Sequence, residues 1–303
     1  MKTRTWLIAT LGSAVALAGL VALLNFKLDL YGMFSDQTGQ SRLVYGDERV
    51  AKFLLSTRYV PTNFNALLIG SSVSANWNAG LIESYRTYNE SLNGGNVVEQ
   101  EAIVDQALER SGVSAAVLLV HPYFTSSHSF ETVELTPRIK LGALGSTSLL
   151  SAYKNAVNIR LGREEQTYDR FGSNNFATAA RKLNPRLAKM LAADGDFEID
   201  AIAMQSYFRL IDKLHQRGIR ILFVVPPTST PLLTPKLEAF AHYQALITPH
   251  MAAGDLLLDL NSAEYASLRD NPENYTDGVH MRPPAARVVV AAIDRELGKL
   301  RRP

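Results

Sequence analysis

The sequence contains no cysteine among its 303 residues. That absence excludes disulfide bonds, a cysteine nucleophile and thiolate metal sites, and it is compatible with any redox compartment. The sequence also lacks a large excess of charge of either sign, because 31 basic and 29 acidic residues leave a formal net charge of +2. A nucleic-acid-binding protein needs a dense basic face. The composition therefore argues against a nucleic-acid partner, while a hydrophobic content of 47% is enough to bury one large core.

One long stretch near the N-terminus has no charged residue. Residues 6–26 would span ~31 Å as a helix at about 1.5 Å per residue, which matches a bilayer core. Lys2 and Arg4 precede the stretch, so the positive-inside rule predicts a cytoplasmic N-terminus and an extracytoplasmic remainder. A cleaved signal peptide is the competing interpretation, because residues 16–18 resemble a small-x-small cleavage site. That site falls inside the apolar run, which favours a retained membrane anchor.

Two polar motifs suggest chemistry. Residues 66–74 read Ala-Leu-Leu-Ile-Gly-Ser-Ser-Val-Ser, the pattern of a buried strand that ends in a tight turn. Ser72 then lies at the carboxyl edge of a sheet, where open α/β folds bind ligands, and a helix beginning next would favour an oxyanion. Far downstream, Asp277 and His280 stand three residues apart. Serine, aspartate and histidine are the residue types of a nucleophile, an orienting carboxylate and a general base.

These motifs resemble the blocks of the SGNH (GDSL-like) hydrolase superfamily. Its first block, Gly-Asp-Ser, matches residues 70–72, which implies that Ser72 is the nucleophile. Its last block, Asp-x-x-His, matches Asp277 and His280. The resemblance covers roughly residues 65–300, with a non-matching insertion between the blocks. A fold of this kind that has lost catalysis is the alternative.

The middle blocks match less well. The second block supplies an oxyanion-hole glycine, and residues 88–96 are similar to it, with Gly94 as the glycine. The third block should contain Gly-x-Asn-Asp, but here the strand is followed by His-Pro-Tyr-Phe with no asparagine. Asn93 or Tyr123 is therefore a candidate replacement donor. His121 occupies the third-block turn and is a candidate pocket residue, although packing or capping would also explain it.

One branch of the superfamily fits the architecture best. Its members carry an N-terminal anchor, a Gly-x-Ser first block and a degraded third block, and they resemble teichoic-acid D-alanyl transfer and alginate O-acetylation proteins. The resemblance implies a serine O-acetyltransferase acting on a cell-surface polysaccharide, partnered by a membrane-bound O-acyltransferase and needing no cofactor. An acyl esterase, or a non-catalytic assembly or glycan-binding partner, stays open.

The pattern of elements predicts an α/β fold, a three-layer α/β/α arrangement with a parallel sheet of about five strands and one N-terminal transmembrane helix. Strands are expected at residues 66–69, 86–91, 114–120, 219–225 and 256–260. The main helices are expected at residues 47–55, 79–85, 97–110, 149–161, 177–191, 197–217, 237–248 and 285–300.

Three segments are predicted along the chain: a tip and anchor (residues 1–34), a juxtamembrane connector (35–64) and the SGNH-like domain (65–303). A helical insertion at about 125–195 is expected over the active-site face as a lid or platform. Its basic residues would meet an anionic polymer or form a solvated helical face. No metal site is predicted, because His128, His215, His242 and His250 show no ligand spacing.

Overall fold

The computed structural model describes residues 2–35, 39–110, 112–126, 134–174, 182–183 and 185–300. His128, and the parts of the predicted insertion and of the predicted helix at 177–191 that fall in the gaps, lie outside these residues. Five parallel strands form one sheet in the order β2-β1-β3-β4-β5. Their bounds are β1 Ala66–Ile69, β2 Thr87–Asn89, β3 Ala115–Leu119, β4 Arg220–Val225 and β5 Leu256–Asp259.

The helices are numbered in chain order. They are α1 Lys2–Leu28, α2 Glu48–Thr57, α3 Tyr59–Asn63, α4 Val97–Leu108, α5 Arg138–Gly142, α6 Thr147–Arg160, α7 Pro185–Ala192, α8 Ala201–Gln216, α9 Thr230–Leu233, α10 Leu237–Ile247, α11 Ala266–Asp270 and α12 Pro283–Lys299.

The sheet separates two hydrophobic cores because side chains alternate along each strand. Leu67 and Ile69 face the core that contains α2, α4 and α8, whereas Leu68 faces the core that contains α12. All residues of β1 and β3 are buried, as expected for central strands of a parallel sheet. The fold is therefore α/β with helices on both faces of the sheet, as the sequence predicts.

The predicted helix at residues 79–85 is wrong. Only a three-residue 3₁₀ turn forms, at Ala79–Leu81. Asn78 caps that turn by accepting from the Gly80 N–H, and the Asp294 side chain accepts from the backbone N–H groups of Glu83 and Ser84 at 3.1 and 2.8 Å. Because side chains satisfy these backbone donors, the segment does not need helical hydrogen bonds.

The described parts of the predicted insertion contact two regions of the fold. Helices α5 and α6 pack beside α1 and α2, where Leu149 and Ile139 line a small cavity with Leu54. A later part of the insertion reaches the turn that follows β1, because the Asn174 N–H donates to the Ala75 carbonyl at 2.7 Å. Residues 168–174, an irregular segment, therefore lie beside that turn, and the placement of the whole insertion over the active-site face stays a prediction.

Helix α1 stands apart from the two cores. In the described chain it is the one helix that is long and apolar enough to cross a membrane. Most of its large apolar side chains are exposed, as in Ile8 and Val15 at 71% each. Exposed apolar surface of this extent on a helix is typical of a segment that contacts lipid.

Candidate active site

The nucleophile turn, residues 70–77, begins directly after β1. No helix follows Ser72. Instead, hydrogen bonds from the Ser74 N–H to the Ser71 carbonyl (3.1 Å) and from the Ala75 N–H to the Ser72 carbonyl (3.4 Å) close successive turns. The first position requires glycine, since a Cβ on Gly70 would lie 2.2 Å from the Ser74 Oγ. The turn leaves the Ser72 side chain half-buried at the carboxyl edge of the sheet.

The histidine loop, residues 275–281, closes on itself before α12. Tyr275 and Met281 form an antiparallel bridge, and the Thr276 N–H donates to the His280 carbonyl at 2.8 Å. Gly278 has φ +94°, and a Cβ there would meet the Leu232 side chain at 2.6 Å. Glycine is therefore needed at the tip, both for the backbone angle and for the close packing.

The two loops bring three side chains into one hydrogen-bonded line. The His280 Nε2 lies 2.9 Å from the Ser72 Oγ, and its Nδ1 lies 2.7 Å from the Asp277 Oδ2. An ionised carboxylate only accepts, so Nδ1 carries the proton and Nε2 accepts the serine hydroxyl proton. This is the arrangement in which a histidine can act as a base toward a serine.

Asp277 is held ionised by its surroundings. Burial by itself would raise the pKa of this carboxyl, but hydrogen bonds and charge from His280 outweigh it, and the net shift lowers the pKa. Its Oδ1 also accepts from the backbone N–H of His280 at 2.9 Å. The carboxylate therefore fixes both the ring and the backbone of the histidine.

Two backbone donors at this edge have no acceptor among the described residues: the N–H groups of Ser72 and Gly94. Gly94 follows β2. Beyond the end of β2 the β1 and β2 segments stay paired, because the Leu92 N–H donates to the Gly70 carbonyl at 3.2 Å. Both donors thus stand just past neighbouring strands. Unpaired N–H groups in this position are suited to binding an oxyanion.

His121 is fully buried at the end of β3. The last paired residues of β1 and β3 are Ile69 and Leu118. Ser72 lies three residues after Ile69, and His121 lies three residues after Leu118. The His121 Nδ1 accepts from the Tyr123 N–H at 3.3 Å, so Nε2 carries the proton, and among the described residues Nε2 has no acceptor. Burial, together with the charge of nearby His280, lowers the pKa of His121 to about 3. His121 is therefore a neutral imidazole with a free buried N–H.

One of the other two candidate donors, Asn93, is engaged elsewhere, and the other, Tyr123, is buried. The Asn93 Nδ2 donates to the Tyr168 hydroxyl at 3.1 Å, and the Asn93 N–H donates to Glu48 at 2.9 Å. Tyr123 lies in the core, and burial raises the pKa of its hydroxyl although the charge of Arg186 opposes the shift. Asn93 thus anchors the loop that contains Gly94, and Tyr123 holds the His121 ring through its backbone.

Sequence reasoning missed the residues that support the nucleophile turn. Asn89, the last residue of β2, donates to the carbonyls of Ser74 (2.9 Å) and Trp77 (3.0 Å). Gln100 on α4 donates to the Gly70 carbonyl at 3.0 Å. Both are fully buried polar residues within otherwise apolar elements. A polar residue on the inward face of a predicted helix or strand is the signal that could have found them.

Two buried titratable residues, Lys52 and Glu90, lie next to these residues. The Lys52 Nζ donates to the Ser91 carbonyl at 2.6 Å, and the Glu90 Oε1 accepts from the Ser56 hydroxyl at 2.5 Å. Burial raises the pKa of Glu90 to about 7, although Lys52 and Ser56 oppose the shift. Burial also lowers the pKa of Lys52. The floor of the site is therefore polar and sensitive to protonation.

No family model and no curated protein sequence matches the chain. Among solved structures, the chain is similar to the lipase/acylhydrolase from Enterococcus faecalis, with a TM-score of 0.38 and 11% sequence identity. The similarity covers 77% of this chain and 95% of that one. Similarity at this level does not establish a shared family or activity.

Proposed function

We propose that this chain is a membrane-anchored serine acyl-transfer enzyme of the SGNH type. It transfers an acetyl group, through an acyl-serine at Ser72, to a hydroxyl of an extracytoplasmic polysaccharide. The observation that carries the proposal is the hydrogen-bonded line from Ser72 through His280 to Asp277. The sequence blocks around these residues, which resemble those of the SGNH superfamily, and the apolar helix α1 support the same assignment.

In the first half-reaction the Ser72 Oγ attacks the carbonyl carbon of an acyl donor. His280 takes the hydroxyl proton on Nε2, and the ionised Asp277 stabilises the resulting imidazolium. The negative oxygen of the tetrahedral intermediate is met by the N–H groups of Ser72 and Gly94. When the intermediate collapses, His280 returns the proton to the departing group, and the acetyl stays on Ser72.

In the second half-reaction a hydroxyl of the acceptor attacks the acyl-serine. His280 removes the hydroxyl proton, the same oxyanion donors act again, and Ser72 regains its proton as the acetylated acceptor departs. Water in place of the sugar hydroxyl gives acetate, which is the esterase reaction. The two reactions share the acyl-enzyme and differ only in the nucleophile that reaches it.

His121 completes the oxyanion hole in this proposal. Its Nε2–H takes the place of the asparagine that the third block lacks. A buried N–H with no acceptor costs free energy in the resting enzyme, and an oxyanion would satisfy it. The low pKa of His121 keeps this donor neutral, so it does not compete with His280 for the proton.

The proposal is tested with the full-length chain in mild detergent, using p-nitrophenyl acetate as the acyl donor with and without an oligosaccharide acceptor. Ser72→Ala should lower the rate of acetate release on the order of ten-thousand-fold or more. Ser71→Ala is the matched control, because Ser71 lies in the same turn and its side chain is not part of the line to His280. That variant should retain activity within a few-fold.

Acetylated sugar, formed only when Ser72 is present, would support transfer. Acetate release that does not respond to the acceptor would favour the esterase. Equal background activity in the wild-type protein and Ser72→Ala would overturn both and leave a non-catalytic assembly role.

A further inference from the structure

An uncharged segment beside α1 has no role in the chemistry above. Residues 141–153 contain no charged side chain, while Arg138 and Lys140 precede them and Lys154 follows. A stretch of this length is typical of a buried core segment or of a segment in the membrane interface. Burial distinguishes the two, because Leu141 and Leu150 are each 70% exposed. The segment presents these apolar side chains outward.

The same segment is joined to α1. Asn25, a polar residue in the apolar helix, is only 7% exposed, and its side-chain amide donates to the Leu144 carbonyl at 2.8 Å. A Cβ on the next residue, Gly145, would lie 3.4 Å from Val21. Next to these contacts, residues 14–28 and the segment together line an apolar groove of about 1010 Å³.

These contacts fix the depth of the segment relative to α1. Val21 precedes the end of the uncharged run at Phe26 by five residues, or ~8 Å of helix, and Ala14 precedes it by ~18 Å. If residues 6–26 fill a hydrocarbon core of ~30 Å, Leu144, which bonds to Asn25, lies at its outer boundary, and Gly145, beside Val21, lies up to ~8 Å below it. Lipid rather than water would then cover this side of the segment.

The backbone of the segment suits such a position. In hydrocarbon, each unpaired backbone polar group costs several kcal/mol. The Leu144 N–H donates to the Leu141 carbonyl (3.0 Å), the Gly145 N–H to the Gly142 carbonyl (3.1 Å) and the Leu150 N–H to the Ser146 carbonyl (3.2 Å). The turn between α5 and α6 thus satisfies these donors internally.

Helix α6 has two different faces. Its inner face packs on the domain, where Leu149 is buried and Ala152 lies close to Gly46. On its outer face Leu150 and Val157 stand seven residues apart and are 70% and 53% exposed. A spacing of seven places both on one stripe of the helix.

We propose that residues 141–153, which we call the elbow, insert into the outer leaflet of the membrane, where lipid acyl chains cover Leu141 and Leu150. Arg138 and Lys154 then stand at the level of the lipid phosphates, where basic side chains are favoured. The elbow and α1 together give the domain two points of attachment. This holds Ser72 at a fixed height above the bilayer. The inference rests on α1 spanning the membrane, as in the proposed function.

The chain has no cysteine, so a single cysteine can be introduced and spin-labelled without first replacing native cysteines. The full-length chain is reconstituted alone in phosphatidylcholine and phosphatidylglycerol vesicles, and each label is probed with oxygen, which concentrates in lipid, and with a water-soluble nickel chelate. Leu150→Cys reports on the elbow and Leu17→Cys on α1. Leu237→Cys is the matched control, an exposed leucine (53%) on α10.

We expect the ratio of oxygen to nickel accessibility at Leu150→Cys to approach that of Leu17→Cys and to exceed that of Leu237→Cys severalfold. A water-like ratio at Leu150→Cys with a lipid-like ratio at Leu17→Cys would overturn the elbow and leave the anchor intact. Water-like ratios at both positions would refute the membrane-spanning helix itself. A label shielded from both reagents would mean that protein, such as a second copy of the chain, covers the face, which also overturns the proposal.

Discussion

The nucleophile turn and the histidine loop meet at one hydrogen bond, but they are held in different ways. The nucleophile turn depends on side chains that arrive from β2 and α4, namely Asn89 and Gln100. The histidine loop has more bonds among its own residues, through the bridge between Tyr275 and Met281 and the bonds from Asp277. Two distant residues also hold it, because the Asn76 side chain donates to the Met281 carbonyl at 2.6 Å and the Ser229 N–H donates to the Gly278 carbonyl at 2.9 Å. The short distance from Asp277 to His280 is therefore set locally, whereas Ser72 depends more on side chains from other elements.

The largest effect should come from the orienting carboxylate. Asp277→Asn keeps an oxygen that can accept from the His280 N–H, so the loop should stay folded, but the amide no longer holds the reactive ring tautomer. We expect kcat for acetyl transfer to fall on the order of ten-thousand-fold. Steady-state kinetics, with thermal unfolding as a folding control, measure this. A loss below tenfold would mean that Asp277 does not orient the base.

His121 sharpens the comparison because it belongs to neither loop. His121→Phe removes the Nε2–H while keeping a buried ring, and we expect kcat to fall by about a hundredfold to a thousandfold with little change in KM. His121→Asn restores a donor and should recover part of the loss. An equal decrease for both variants, or a change confined to KM, would argue for a packing role.

The support of the two loops can be compared directly. Asn89→Ala leaves the carbonyls of Ser74 and Trp77 without a donor in a buried site, and it should lower the free energy of unfolding by about 2–3 kcal/mol. Thr276→Val removes one bond, to the His280 carbonyl at 3.2 Å, and should cost about 1 kcal/mol. Urea denaturation measures both. Equal costs would contradict the view that the nucleophile turn depends more on distant side chains.

The last prediction concerns the pH dependence of stability. The folded-state pKa of Glu90 is raised from 4.5 to about 7, so the folded protein binds more protons than the unfolded chain between those values. Stability should therefore fall as the pH rises from about 4.5 to about 7. Glu90→Gln should flatten this dependence, as measured by thermal unfolding across the range. An unchanged profile in Glu90→Gln would assign the dependence to other groups.

Much of the fold followed from patterns that are local in the chain. The apolar runs at β1, β3 and β4 predict buried parallel strands because few other structures bury four or more consecutive apolar residues. The 79–85 segment shows the limit of such patterns. Asp294 on α12 is more than two hundred residues away, and its bonds to Glu83 and Ser84 remove the advantage of a helix there.

The sequence by itself determined the parallel α/β sheet, the apolar N-terminal helix and the choice of Ser72, Asp277 and His280 as candidate site residues. It did so because strand and turn patterns, uncharged runs and short motifs depend on neighbouring residues. Only the tertiary structure decided that Ser72 lies within hydrogen-bond distance of His280, that His121 keeps a free buried N–H and that the elbow lies against α1. Those features depend on contacts between residues far apart in the chain, whose geometry is set by packing the whole fold.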